Sequence, residues 1–268
     1  MTTVDNLNTK HEQDLQRLRN FRLLDDDFMT KVFEEKGCAE LLLKIMLGRD
    51  DFTVVTTTPQ SGIKNLQGRS VRLDILVEDD KGRFFNVEIQ RSDKGADRKR
   101  ARYNSALIDA NITEPGEEFQ NIQESFVVFI TEKDVIGANL PIYHIDRVIA
   151  ETNEKFDDEA HIIYINSQIQ DETELGKLMQ DFYCTDAKEM HYSILAERVR
   201  YFKENQEGVR IMCKAMEDMR EEAEREKINE MIVSMHENGL ADELIAKIAK
   251  VSVEYVRKIL AVAMGNNV

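Results

Sequence analysis

Residues 71–91 read VRLDILVEDDKGRFFNVEIQR and predict a β-hairpin. Apolar and polar residues alternate on both sides of the turn DDKGR, as in two half-buried strands. We place Asp80-Lys81-Gly82 in the loop, because three-residue hairpin loops favour glycine at the last position. Paired residue numbers then sum to 162, which puts Asp74 directly opposite Glu88.

The opposed carboxylates indicate a cation site. Facing Cβ atoms lie about 4.5–5.5 Å apart, where like charges are destabilising, whereas Mg²⁺ is commonly held by one or two carboxylates. The carbonyl of Ile89 would add an oxygen, and the amide of Gln90 could orient a water molecule. Two alternatives stay open at this stage. The residues could form a solvated polar face, or another register could separate the carboxylates.

A basic stretch follows the hairpin at once. Residues 91–103, RSDKGADRKRARY, hold six basic and two acidic residues, although the chain has a net charge of −15. A helix is predicted over Asp97–Asn111, with Arg98 and Arg102 on one side at i, i+4 spacing. Together with Arg100 and Tyr103, these residues are candidate nucleic-acid contacts. They could equally pack the helix on the sheet with their guanidinium groups in water.

Several other functional classes find no support. The five histidines lack metal-ligand spacing, and no glycine-rich phosphate loop predicts a nucleotide cofactor. The longest apolar runs are too short to span a membrane, and the N-terminus lacks a signal segment. Three distant cysteines without a CxxC motif indicate reduced thiols and a cytoplasmic location.

The chain divides into four predicted parts: an arm at 1–24, an α/β core at 25–185, a helical extension at 186–238 and a helix-turn-helix-like unit at 239–268. In the last part we predict two facing apolar stripes, formed by Leu244, Ile245 and Ile248 and by Val256, Ile259 and Leu260. Such a unit could read DNA with its second helix. We expect instead a helical cap that docks on the long helix or on a second chain, which would make a homodimer.

Taken together, these segments resemble the PD-(D/E)XK nucleases. The similarity is greatest to the Rpn-type recombination-promoting nucleases, also described as PD-(D/E)XK family transposases. It rests on motifs in a specific order: DDDFM at Asp25–Met29, GRSVRLDI at Gly68–Ile75, VEIQR at Val87–Arg91, RKRARYNSALIDA at Arg98–Ala110 and IYINS at Ile163–Ser167.

The resemblance implies a restriction-endonuclease-like α/β core and a Mg²⁺-dependent DNA endonuclease, in which Mn²⁺ may substitute for Mg²⁺. Asp74 and Glu88 match the metal ligands, and Gln90 stands where many relatives have lysine. Leu73 replaces the proline of the wider signature. Asp27 and Glu40 are candidates for the first-helix acid, with Glu34 and Glu35 as alternatives to Glu40, and Asp27 could instead cap that helix. The alternative is an inactive nuclease fold that binds DNA or protein.

Overall fold

The computed structural model describes residues 12–63, 70–91 and 95–263. Lys94 of the basic stretch and Gly68 of the GRSVRLDI motif lie outside these ranges. The helices are α1 over residues 12–19, α2 Asp26–Phe33, α3 Lys36–Leu47, α4 Arg98–Ile112, α5 Glu174–Tyr183, α6 Ser193–Glu204, α7 Gln206–Glu237, α8 Asp242–Ala249 and α9 Val253–Ala263. The strands are β1 Val54–Ile63, β2 Val71–Asp79, β3 Phe84–Gln90, β4 Ser125–Thr131, β5 Ile142–Ile145, β6 Val148–Ile149, β7 Glu154–Lys155 and β8 Ala160–Asn166.

A mixed sheet with strand order β1-β2-β3-β4-β8-β5 forms the centre of the fold. The hairpin strands pair antiparallel, whereas β3–β4 and β4–β8 pair in parallel. All seven residues of β4 are buried, as expected for a central strand covered on both faces. The predicted mixed α/β fold is therefore confirmed, including β4 and most of β8.

Helix α4 covers one face of this sheet. It contacts β4 and β8, and its Ala101, Leu107 and Ile108 are buried in a cluster with Phe129 and Tyr164. Helices α2 and α3 pack against β1. The connection from β3 to β4 therefore places the start of α4 next to the end of β3. The candidate residues Glu88 and Gln90 lie at this end of β3.

The N-terminal segment is partly integrated into the core. Leu18, Leu23 and Leu24 are buried, although the sequence placed residues 1–24 in a polar arm. The Lys203 ammonium group fixes this segment by donating to the carbonyls of Phe21, at 2.5 Å, and of Thr185, at 2.6 Å.

The chain forms two compact units, residues 1–212 and 213–268. The first extends past the predicted boundary at 185 because α6 packs on the core. Phe202 of α6 meets the ring of Phe28 edge-on, with 6.3 Å between centroids. Within the described ranges, no helix combines the length and hydrophobicity of a membrane-spanning segment.

The second unit contains the two short C-terminal helices, joined through Lys250 in the left-handed conformation. Ser252 begins α9 as predicted, and its hydroxyl accepts from the Tyr255 N–H at 3.1 Å. The predicted stripe on α8 is only partly right. Ile245 is buried, but Leu244 and Ile248 are about half exposed, because Ala246 and Ala249 complete the buried face instead.

Candidate active site

The hairpin has the predicted register. Ile75 pairs with Val87 and Glu78 with Phe84, and Gly82 ends the loop with a φ of 75°. The residue numbers of both pairs sum to 162, as predicted, and the pairing ends at Ile75–Val87, next to Asp74 and Glu88. Glycine suits this loop position because it adopts positive φ without strain.

Regular pairing between β2 and β3 ends immediately before the carboxylates. Beyond the Ile75–Val87 pair, the Ile89 N–H donates to Asp74 Oδ2 at 3.0 Å, and Glu88 Oε1 lies 3.4 Å from the Asp74 nitrogen. A strand residue directs its N–H and its carbonyl to the same neighbouring strand. The Ile89 carbonyl therefore faces the strand that carries Asp74.

Burial makes this pair of acids electrostatically costly. Glu88 is fully buried, and desolvation, followed by the nearby charge of Asp74, raises its pKa to about 8. Desolvation also raises the pKa of Asp74. Arg100 partly compensates for these charges, since its Nη2 lies 2.5 Å from Glu88 Oε2.

Two further acids come from the first turn of α2. Loss of surrounding water and then the charge of Asp74 raise the pKa of Asp26 to about 6. Desolvation likewise raises the pKa of Asp27, whose charge in turn acts on Asp74. The sequence indicated Asp27 but not Asp26, although the DDD run contains both residues. The helix itself begins after Asp25, which accepts from Arg91 at 2.6 Å.

Glu40 lies elsewhere. Its carboxylate accepts from Lys44 at 2.8 Å and from the N–H of Val54 at 2.9 Å. Val54 pairs with Asp79 at the turn end of the hairpin, five residues along β2 from Asp74, or roughly 17 Å at strand spacing. The structure thus separates Glu40 from the acidic cluster, because its helix, α3, packs at the start of β1.

Gln90 lies against the backbone of the turn that follows β3. A Cβ atom built on Gly95 would fall 1.4 Å from Gln90 Oε1, so any residue other than glycine would require the Gln90 side chain to move. The turn is also held to β8 by the Tyr164 hydroxyl, which donates to the Ala96 carbonyl at 3.1 Å. No sequence pattern had indicated a role for Gly95.

The basic residues of α4 divide into two groups. Arg98 and Arg102 are exposed, whereas Tyr103 is half-buried against the α4 cluster. Arg100 points inward to Glu88 and to the Gly95 carbonyl. Its guanidinium is therefore part of the carboxylate site, which the sequence alone did not indicate.

The acids present fit a hard divalent cation. Among the residues that the structure describes, no three His, Cys, Asp or Glu side chains converge into a metal site. Half-buried Asp74, buried Glu88 and a neighbouring carbonyl nevertheless suit Mg²⁺, which retains waters and takes phosphate oxygens from a substrate.

A comparison with protein-family models identifies the family of this chain. The model described as PD-(D/E)XK nuclease family transposase matches residues 42–238. The chain belongs to this family. No curated protein and no solved structure matches the chain. PD-(D/E)XK nucleases typically use divalent metal ions, and the matched segment includes the whole hairpin and α4.

Proposed function

We propose that this PD-(D/E)XK family member is a Mg²⁺-dependent DNA endonuclease of the Rpn type, acting in the cytoplasm. The observation that carries the proposal is the pair formed by half-buried Asp74 and buried Glu88 at the point where β2 and β3 stop pairing. The three free cysteines support the location.

Asp74 and Glu88 would hold the ion, together with the carbonyl of Ile89. When bound, Mg²⁺ supplies positive charge that lowers the pKa of a water molecule and offsets charge developing on the phosphate. Gln90 would orient the attacking water by hydrogen bonding. Asp27 and Asp26 are the candidate first-helix acids, since both carboxyl groups interact with the pair.

Exposed arginines on α4 would position the substrate. Arg98 and Arg102 lie on the helix that follows the carboxylate hairpin, where they would contact phosphates. Phosphate contacts fix a duplex on the protein without reading its bases, which is what cleavage at many sequences requires. Tyr103, half-buried on the same helix, would support this surface by packing.

Plasmid nicking with Mg²⁺ or Mn²⁺ tests the proposal. Asp74→Asn and Glu88→Gln should each reduce the rate about 100-fold or more, because the ion contributes several kcal/mol of charge stabilisation. Both changes keep side-chain size and remove a buried charge, so the variants should fold. Glu78→Gln, on β2 away from the pair, is the matched control and should cleave normally.

A non-catalytic module is the alternative. The net charge of −15 and glutamine at position 90 favour it. Calorimetry distinguishes the two functions: Mn²⁺ binding that disappears in Asp74→Asn and Glu88→Gln supports the nuclease. DNA binding without metal binding or cleavage would establish the module instead.

A further inference from the structure

Arg100 joins the two halves of the proposed site. Its Nη2 lies 2.5 Å from Glu88 Oε2, and its Nη1 donates to the Gly95 carbonyl at 2.9 Å. The guanidinium group also lies over the ring of Phe129, with its carbon 5.7 Å from the centroid. These three contacts restrict the side chain to one orientation beneath the turn.

The contact with Glu88 involves only one of its two carboxylate oxygens. Arg100 takes Oε2, while Oε1 accepts from the Asp74 N–H at 3.4 Å. The arginine therefore orients the carboxylate so that its second oxygen faces Asp74. A cation between the two acids could bind there without displacing Arg100.

The contact with Gly95 acts on Gln90. The backbone at Gly95 forms the surface against which the Gln90 side chain lies, as the 1.4 Å distance from a built Cβ to Gln90 Oε1 shows. By holding the Gly95 carbonyl, Arg100 fixes that surface in place. One side chain thus controls the positions of both Glu88 and Gln90.

We propose that Arg100 is a positioning residue that orients Glu88 for the metal ion and, through Gly95, Gln90 for the water. This inference rests on the proposed nuclease function. Arginine suits the task because its planar guanidinium donates in two directions at once, whereas lysine presents a single ammonium group. Groups that hydrogen-bond a metal-ligating carboxylate typically alter metal affinity by 10–100-fold.

Mn²⁺ calorimetry and nicking kinetics on Arg100 variants test the inference. Arg100→Gln should weaken Mn²⁺ binding about 10–100-fold. Arg100→Lys keeps the charge beside Glu88, so its Mn²⁺ affinity should stay within about threefold of wild type. Because the bond to Gly95 is lost, its kcat should still fall about 10-fold or more, with little change in KM for DNA.

Lys99→Gln is the matched control, since Lys99 is an exposed neighbour on α4, and its Mn²⁺ affinity should equal that of wild type. Unchanged or tighter Mn²⁺ binding by Arg100→Gln would overturn the inference. So would a wild-type kcat in Arg100→Lys, the variant to rely on if Arg100→Gln fails to fold. Absence of Mn²⁺ binding in the wild-type protein would refute the proposed function itself.

Discussion

Glu88 links protein stability to pH in the metal-free state. Its pKa rises from 4.5 to about 8 on folding, so the folded state binds the proton more tightly than the unfolded state. This contribution to stability is complete below about pH 4.5 and is lost as the pH rises through 8. One pKa unit corresponds to about 1.4 kcal/mol. We expect the free energy of unfolding in EDTA to fall by roughly 2–4 kcal/mol between pH 5 and pH 8 through this residue.

Urea unfolding at the two pH values measures this effect. Glu88→Gln has no titrating group at position 88. Most of the change in the free energy of unfolding between pH 5 and pH 8 should therefore be absent in this variant, which should be more stable than wild type at pH 8. Glu78→Gln should keep the wild-type dependence. If Glu88→Gln and wild type show the same pH dependence, Glu88 is ionised throughout and the assigned cause is wrong.

One methyl group added at Gly95 should displace the Gln90 side chain. In Gly95→Ala the new Cβ would occupy the place of Gln90 Oε1, so the Gln90 side chain must leave its position. We expect a loss of nicking rate of about 10–100-fold, comparable to Gln90→Ala and in the range of a lost positioning contact. Mn²⁺ affinity should change less than the rate.

Gly62→Ala is the control for this substitution, because a Cβ at Gly62 meets no atom within 4 Å. Its nicking rate should match that of wild type. A fully active Gly95→Ala variant would mean that Gln90 does not act from the observed position.

At the scale of elements, α4 should bind DNA through charge alone. Arg98→Gln with Arg102→Gln removes two exposed cations and should weaken DNA binding about equally for all sequences. The slope of log affinity against log salt should become less steep by roughly one to two units. Fluorescence anisotropy with two unrelated duplexes at several salt concentrations measures both quantities.

Removing two positive charges from α7 is the control for the α4 variant. Arg210→Gln with Arg225→Gln alters two exposed arginines far along the sequence from the hairpin, and its salt slope should be that of wild type. An unchanged slope in the α4 variant would show that these arginines do not meet phosphate.

The hairpin was predictable because local chemistry determines it. Alternation of side chains, a glycine in the turn and a three-residue loop together fix the register, and a register that pairs Ile75 with Val87 brings Asp74 and Glu88 close together. The capping serine of α9 followed from equally local signals. Each of these features depends on residues close together in the chain.

Features that depend on distant contacts were not predictable in this way. The short strands β5, β6 and β7 have too few residues to show a pattern. Whether Arg100 faces solvent or Glu88 is decided by how α4 lies on the sheet. The proximity of Asp26 to Asp74 depends on how α2 packs against β2. The pattern of apolar residues within one segment does not show how that segment packs against another.

At the scale of the whole molecule, the second unit has an exposed apolar surface. Val262 is 74% exposed beside a groove of about 440 Å³ between α7 and α9, which Val233 and Ile259 also line. Glu230 and Glu237 border this groove.

Deleting residues 241–268 should therefore change the oligomeric state more than DNA cleavage. Light scattering and plasmid nicking on the truncated protein measure the two effects, with Val262→Asp as a milder variant and Lys99→Gln as a folded reference. A truncated protein that keeps its assembly but loses DNA affinity would favour a DNA-reading helix-turn-helix.

The parallel strand pairs also affect how quickly the chain folds. Phe84 pairs with Ser125, and Ser125 with Ala160, so the sheet requires closure of long loops, whereas α8 and α9 meet across a few residues. Folding slows as contacting residues lie further apart in sequence. Because the chain has no tryptophan, stopped-flow circular dichroism is the suitable probe. It should record a fast helical phase that is absent when residues 241–268 are deleted, and a slower phase that the deletion does not remove. During the slower phase β3 and β4 have unpaired edges, which are open to aggregation.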